Sequence, residues 1–435
     1  MRARNILMAL FAAAACLLSA GCGGNKNEEA TGDFASLATL VASDAGDSDF
    51  LGLSVAIDGD IAVVGAAGAD VNGTDDGAAY VYYRNQGGTN VWGQVAKLVP
   101  GDGADSDYFG FAVAISGDII AVGAYGEDGS GTEIGAVYVF YRDQGGTDAW
   151  GMVKKVTASD GEDDDMFGGT LALRGDTLVV GVPYEDGAGT DRGAAYVYYR
   201  NQGGDDNWGE LVKLTATDPV DDDEFGYEVG LGGDTLIVGV PGREGAGTDR
   251  GSACLYSRDQ GGTDAWGLVK EITPGDPSDS TYFGYSVAVN GGVAIVGAPQ
   301  DSDAGSYAGA AYVFYRDQGG TDAWGQVKKF KAGDATASAL AGWDVFMGDG
   351  YAIIGAPFAG GGGTEKGQAY ILAKDEGGAD NWGQLQRLRL SGAHDYDFFG
   401  YSVAFSGLDA LVGVPYADGS GTDRGTAVIF EKTSP

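Results

Sequence analysis

The architecture of this chain can be read from "YFGYSVAVNGGVAIVGAP", residues 282–299. It divides into "FGYSVAV" and "VAIVGAP", two runs of β-branched and small apolar residues, with Asn290-Gly291-Gly292 between them as a tight-turn signal. Near-copies recur at a constant step. Gly52, Gly110, Gly168, Gly226, Gly284, Gly342 and Gly400 stand 58 residues apart, and so do Gly65, Gly123, Gly181, Gly239, Gly297, Gly355 and Gly413. Trp92, Trp150, Trp208, Trp266, Trp324 and Trp382 keep the same step. A unit of this length in seven in-phase copies points to propeller blades or solenoid units.

Two further runs complete each copy, "GAAYVFYR" and "WGQVKKF", so every unit reads as four short strands. Frequent glycines and the lack of a sustained helical period argue against helices. The ends choose between ring and solenoid. The position 58 residues before Trp92 is Phe34, which opens "FASLATLVASD", a match to the fourth strand and its following loop. The last copy stops at "GTAVIFEK", before any fourth strand. The chain therefore starts with the strand that its last copy lacks. The expected fold is all-β: a seven-bladed β-propeller with four antiparallel strands per blade. The N-terminal strand docks as outer strand of the last blade and closes the ring. The repeated Trp is expected to pack between blades, with a sugar-stacking platform as the alternative. The tyrosines of "AYVYY" are expected to alternate between buried and partly exposed sides.

"FGYSVAV…AIVGAP" resembles the FG-GAP repeat, found in the N-terminal propeller of integrin alpha subunits and in many bacterial surface proteins. With "DxxDxDxFG" before it and "GTDxGAAYVYYR" after it, the version here is most similar to the bacterial lipoprotein form, over residues 34–432. The resemblance implies the fold strongly and a function only broadly. Many integrin repeats hold calcium in a DxDxDG loop between the first two strands. The equivalents here, "IDGD", "ISGD", "LRGD", "LGGD" and "VNGG", are too short and acid-poor for that, so this site is not carried over. The "RGD" at 174–176 is read as one of these turns. The copies also vary. Copies three to seven keep Pro183, Pro241, Pro299, Pro357 and Pro415, where the first two have Ala67 and Tyr125. Copy six is the most divergent, with "LAGWDVF".

The acids lie elsewhere. Before the first strand come Asp44, Asp47 and Asp49, repeated as Asp102, Asp105 and Asp107, as Asp160, Asp163 and Asp165, and as Asp218, Asp221 and Asp223. Later copies keep Asp276 and Asp279, Asp334 alone, and Asp395 and Asp397. A second acidic loop, between strands two and three, carries Asp70 and Asp75, Asp128 and Glu133, Asp186 and Asp191, and Asp418 and Asp423. Strands that alternate in direction bring both loops to one face of the disc. Like charges gathered there need solvation, pairing with Arg192, Arg250 or Arg424, or neutralisation by ions. Three readings stand: Ca²⁺ sites built from these acids and neighbouring carbonyls, turns that use Asp and Gly and solvate a surface, or a face for a basic partner.

A formal charge of −37 repels nucleic acid and anionic lipid headgroups. Arg2 and Arg4, the apolar run "ILMALFAAAACLLSAG" and "LLSAGC" resemble a lipoprotein signal. The expected organisation is signal peptide 1–21, lipidated Cys22 with a tether to residue 33, and a propeller over 34–435. A plain secretory signal is the alternative. Cys254 is then the only thiol in the folded domain and is expected to be a small buried hydrophobe. One histidine, His394, lies in a loop, and no nucleophile–base set, zinc cluster or phosphate loop assembles. The expected function is a non-catalytic, lipid-anchored envelope protein for binding, adhesion or scaffolding. It is expected to be monomeric, with an unidentified protein or glycan partner and no nucleic acid. In the absence of Asp after Cys22, the outer membrane is favoured in a Gram-negative host. The alternatives are a salt-adapted structural surface protein without a dedicated ligand, and a polysaccharide hydrolase or lyase on a propeller.

Overall fold

The second strand of every copy is a continuous apolar run because it is covered on both sides. Ile61–Ala66, Ile119–Ala124 and Thr177–Val182 are buried along their full length. These strands belong to a computed structural model that describes residues 33–433 apart from 130, 245–246, 335 and 361–364. The expected signal segment 1–21, Cys22 and the tether up to residue 32 lie outside the described residues. Among the described residues, 28 strands form seven antiparallel four-stranded sheets, with no helix. The first complete blade is Val55–Asp58, Ile61–Ala66, Ala78–Tyr83 and Gly93–Leu98, from the ring axis outward. Apolar clusters fill each seam between neighbouring blades.

The ring closes as expected. Phe34–Leu40 pairs antiparallel with Thr426–Lys432, from Phe34 opposite Lys432 to Leu40 opposite Ala427. Phe34 is fully buried, edge-on to Tyr351 and Phe405, and so takes the place of a tryptophan. At the joint between the last and first blades, Arg84 pairs with Asp409, with Glu431 at 3.0 Å and with Asp60 at 2.9 Å.

One expectation is corrected. The "FGYS" of the repeat is not part of the inner strand, which in copy five begins at Val287. Instead Phe283 makes a parallel bridge to Gly251, at the start of the preceding blade's third strand, and equivalent bridges recur at every seam. The competing force is packing between blades. Gly284 sits at φ 95°, and a Cβ on it would lie 2.1 Å from the Ser252 carbonyl oxygen. Gly297 faces the next seam, where a Cβ would lie 2.2 Å from the Gly342 oxygen. The two glycines of the motif are therefore the two halves of one interlock, repeated around the ring.

The tryptophans do work between blades. Trp150 Nε1 donates to Tyr83 of the preceding blade at 2.9 Å, and Trp208, Trp266 and Trp382 donate likewise to Tyr141, Tyr199 and Tyr315. All six are at most 8% exposed, which leaves no face for a sugar. The third-strand tyrosines divide as expected: Tyr80 and Tyr82 are buried, while Tyr83 is half-exposed. Cys254 is a buried free thiol in an apolar cluster.

Candidate functional site

The linker into each blade meets the second-to-third-strand loop of the blade before it. Ser106 N donates to Thr74 O at 2.8 Å, Tyr108 N to Asp75 O at 3.1 Å and Phe109 N to Asp76 O at 3.0 Å. This places the two acidic loops on one face, as their strand order requires. Within that face the three acids of a linker go to three different partners.

The first acid ties the linker to the blade it enters. Asp44 accepts from Tyr80 Oη at 2.9 Å and pairs with Lys97 at 2.7 Å. Asp102 does the same with Tyr138 and Lys155, and Asp160 with Tyr196 and Lys213. Asp276 pairs with Lys329, and Asp334 with Arg387. Partial burial raises the Asp160 carboxyl, but the bonds from Lys213 and Tyr196 outweigh it and hold the group below its ordinary value.

The second acid reaches back to the previous blade. Asp47 accepts from Arg424 at 3.0 Å, Asp221 from Arg192 at 2.8 Å and Asp279 from Arg250 at 2.8 Å. Asp105 and Asp163 accept from the backbone of Thr74 and Thr132 at 2.9 and 3.0 Å.

The third acid closes a turn within the linker and is buried. Asp49, Asp107, Asp165, Asp223 and Asp397 accept from the backbone N–H of Gly46, Ala104, Glu162, Val220 and His394. Burial pushes the Asp165 carboxyl up to about 6. His394 thus serves through its backbone, and Asp395 lies 3.8 Å from Lys366.

In the second loop the first acid accepts from the backbone of the second. Asp70 binds Asp75 N at 2.8 Å, Asp128 binds Glu133 N at 3.1 Å, Asp186 binds Asp191 N at 3.0 Å and Asp418 binds Asp423 N at 3.3 Å. Asp75, Glu133, Asp191 and Asp423 all have positive φ, which aims their carbonyls at the next linker. Among the described residues, no three His, Cys, Asp or Glu side chains come together as a metal-holding group. The three acids of a linker thus make separate contacts, as Asp160 does with Lys213, Asp163 with Thr132 N and Asp165 with Glu162 N.

The cations that meet these acids carry a signal along the repeat. In blades two, three and five an outer-strand lysine faces an acid of the second loop: Lys155 and Glu127 at 2.7 Å, Lys213 and Glu185 at 2.9 Å, Lys329 and Asp301 at 2.8 Å. Blade four reverses the pair, with Glu271 on the strand and Arg243 in the loop at 3.3 Å. Arg243 also reaches Asp223 at 2.6 Å and Asp218. Glu271→Lys should then cost about 2 kcal/mol by setting two cations together, and adding Arg243→Glu should recover most of it. Chemical denaturation of both variants checks this. A double variant as unstable as the sum of the two single ones would show that the pair is not coupled.

A second feature lies on the ring axis, and the divergent "LAGWDVF" of copy six supplies Trp343 and Asp344 to it. The inner strands of all seven blades line a cavity of ≈ 730 Å³. At the acidic-loop end, the residue after each FG glycine surrounds the axis: Leu53, Phe111, Gly169, Tyr227, Tyr285, Trp343 and Tyr401. Tyr227 meets Tyr285 at 4.8 Å, Tyr285 meets Trp343 at 5.1 Å and Trp343 meets Tyr401 at 5.4 Å between ring centres. The next position holds Ser54, Ala112, Thr170, Glu228, Ser286, Asp344 and Ser402. Its polar members stitch neighbouring blades: Ser54 accepts from Val113 N at 3.0 Å, Asp344 from Val403 N at 2.6 Å, and Thr170 donates to Glu228 at 2.9 Å. Comparing this one position across the copies would have singled out Glu228 and Asp344, where small or hydroxyl residues otherwise stand.

The profile described as the FG-GAP repeat matches residues 34–82, 92–140, 150–198, 208–256, 266–314, 324–372 and 382–430. Each match starts at the outer strand of one blade and ends in the third strand of the next, so every sequence repeat spans a seam. No curated protein matches the chain.

Proposed function

Because this chain belongs to the FG-GAP repeat family, we propose that it is a non-catalytic envelope protein that offers its acidic loop face to a basic partner. The FG-GAP propeller fold fits a non-catalytic binding or scaffold role in general. The observation that supports the finer reading is the state of the second linker acids. Asp47, Asp221 and Asp279 brace the seams yet stay 61%, 55% and 59% exposed, at a repeated spacing on a rigid ring. Such a surface steers cationic protein toward it and sets register by charge. In this reading Cys22 carries the lipid that holds the chain to its membrane, and one copy of the ring is the working unit. Adhesion is the form the binding takes when the partner sits on another surface.

Calcium is the competing occupant. To use the first acids of the linkers it must displace Lys97, Lys155 or Lys213. One calorimetric series separates the readings: a lysine-rich peptide titrated into the protein at low and high salt, then calcium with magnesium as control. Saturable peptide binding is expected. It should weaken about tenfold when Asp47, Asp105, Asp163, Asp221 and Asp279 become Asn with the melting temperature retained. Equal weakening by Asn substitutions in the hairpins of the opposite face would overturn a specific site. Saturable calcium binding lost in an Asp160, Asp163 and Asp165 to Asn variant would favour the metal. Soluble products from a polysaccharide panel would favour the hydrolase or lyase reading.

A further inference from the structure

The axial cavity is chemically lopsided. Along the wall of blades four to seven it presents Tyr227, Tyr285, Trp343 and Tyr401 at one level, and Glu228 and Asp344 at the next. The corresponding positions of blades one to three hold Leu53, Phe111 and Gly169, then Ser54, Ala112 and Thr170, without a charge. Glu228 and Asp344 are half-buried, and both line the cavity. One oxygen of each is held by the ring, through Thr170 Oγ1 and Val403 N, so their orientation is set. Two carboxylates beside a wall of aromatic rings form a combination that takes cations with an organic surface. The carboxylates supply charge and hydrogen-bond acceptors, and the ring faces supply attraction to a positive, poorly hydrated group. A bare divalent ion is a poorer fit, because it wants six or more oxygens around it and the ring faces offer none.

The geometry points to the axial cavity as a binding site for a small organic ammonium ion, held between Glu228 and Asp344 against Tyr227, Tyr285, Trp343 and Tyr401. This site is separate from the loop face and does not depend on the reading given for it. The far mouth, lined by Asp58, Ser116, Arg174, Asn290, Asp349 and Ser406, is the route in that avoids the aromatic layer.

The charges around the site set its pH dependence. Burial, with the Asp344 charge adding to it, pushes the Glu228 carboxyl up to about 8. Burial raises Asp344 to about 7, against the bonds from Val403, Val345 and Ser402. The Tyr227, Tyr285 and Tyr401 hydroxyls stay protonated, since burial raises them all. Glu224, pushed up to about 8 by burial and by Asp191, acts on Tyr227 and Tyr285 from the linker. Arg174, Asp58 and Asp349 stand at the far mouth. Both axial acids favour the neutral form when the cavity holds no cation, so their contribution to stability is present at low pH and lost as pH rises through about 7 to 8. A bound ammonium reverses this by favouring the ionised pair.

The test is calorimetric titration of 1,4-diaminobutane and of tetramethylammonium into the protein at pH 6.0 and 8.5, with 1,4-butanediol as neutral control. One saturable site is expected at pH 8.5 for at least one of the amines. Affinity should fall about tenfold or more at pH 6.0, and the diol should not bind. Glu228→Gln and Asp344→Asn keep the acceptors for Thr170 and Val403 and should each weaken binding about tenfold or more. Asn at Asp47, Asp221 and Asp279 should leave the site unchanged, which separates it from the loop face. Thermal melts give a second readout. Acidification from pH 8.5 to 6.0 should raise the melting temperature of the native chain, and saturating amine should flatten that slope. Absence of a saturable site for both amines, or binding untouched by the two axial substitutions, overturns the proposal.

Discussion

Removal of the strand Phe34–Leu40 is expected to cause the largest loss of stability of any short deletion in this protein. The strand buries Phe34 at the seam between blades six and seven and Leu40 at the seam between blades seven and one, and burial of those two side chains alone contributes about 5 kcal/mol. It also covers Thr426–Lys432, which would otherwise become an exposed edge able to pair with other chains. A chain starting at Val41 should therefore melt well below the full-length protein, broadly and with aggregation, in scanning calorimetry. A rearranged chain distinguishes lost closure from general damage. Thr433 N donates to Asp33 O at 2.6 Å, so residues 33–40 can be moved to follow Thr433 through a short linker. That permutant should regain most of the lost stability. Equal melting of the truncated and full-length chains would mean that the ring does not need its closing strand.

Alanine at either glycine of the motif is the second large effect. Gly284→Ala would place a methyl 2.1 Å from the Ser252 oxygen at φ 95°, and Gly297→Ala would place one 2.2 Å from the Gly342 oxygen. Both contacts are with backbone, which cannot rotate away. Each substitution should cost about 3 kcal/mol or more, measured by chemical denaturation. Gly291, at φ 59° with open space around it, supplies the comparison. Gly291→Asn should change stability by less than about 1 kcal/mol, because Asn tolerates that conformation in a hairpin turn. Similar losses at all three positions would show that the interlock has no special role.

The fold was legible to an unusual degree because the period is carried by residues whose physical duty is the same in every copy. Tryptophan at the seam, glycine at the interlock and the Gly-rich turn each repeat at one spacing. The inner strand is shorter than its composition suggests, because "FGYS" has strand-like composition while its backbone is claimed by the neighbouring blade. The acidic face was legible as a face but not as a set of contacts. Asp160, Asp163 and Asp165 look alike in the sequence. One meets Lys213, one Thr132 of the previous blade and one Glu162 of its own turn. Proximity along the chain does not express these three separate contacts.

The number of blades, the order of strands in each, the closure by Phe34–Leu40 and the sharing of one face by both acidic loops are already written in the residue order. These follow from period, alternation and the missing last strand, all of which are local or arithmetical. Which cation each acid meets, the exchange of roles between Arg243 and Glu271, and the placement of Glu228 and Asp344 in one cavity with four aromatic rings emerge only in three dimensions. The physical reason is ring closure. Copies that are 58 residues apart in sequence become side-by-side neighbours at the seams. Residues two blades apart then meet at the axis, a relation that no spacing along the chain expresses.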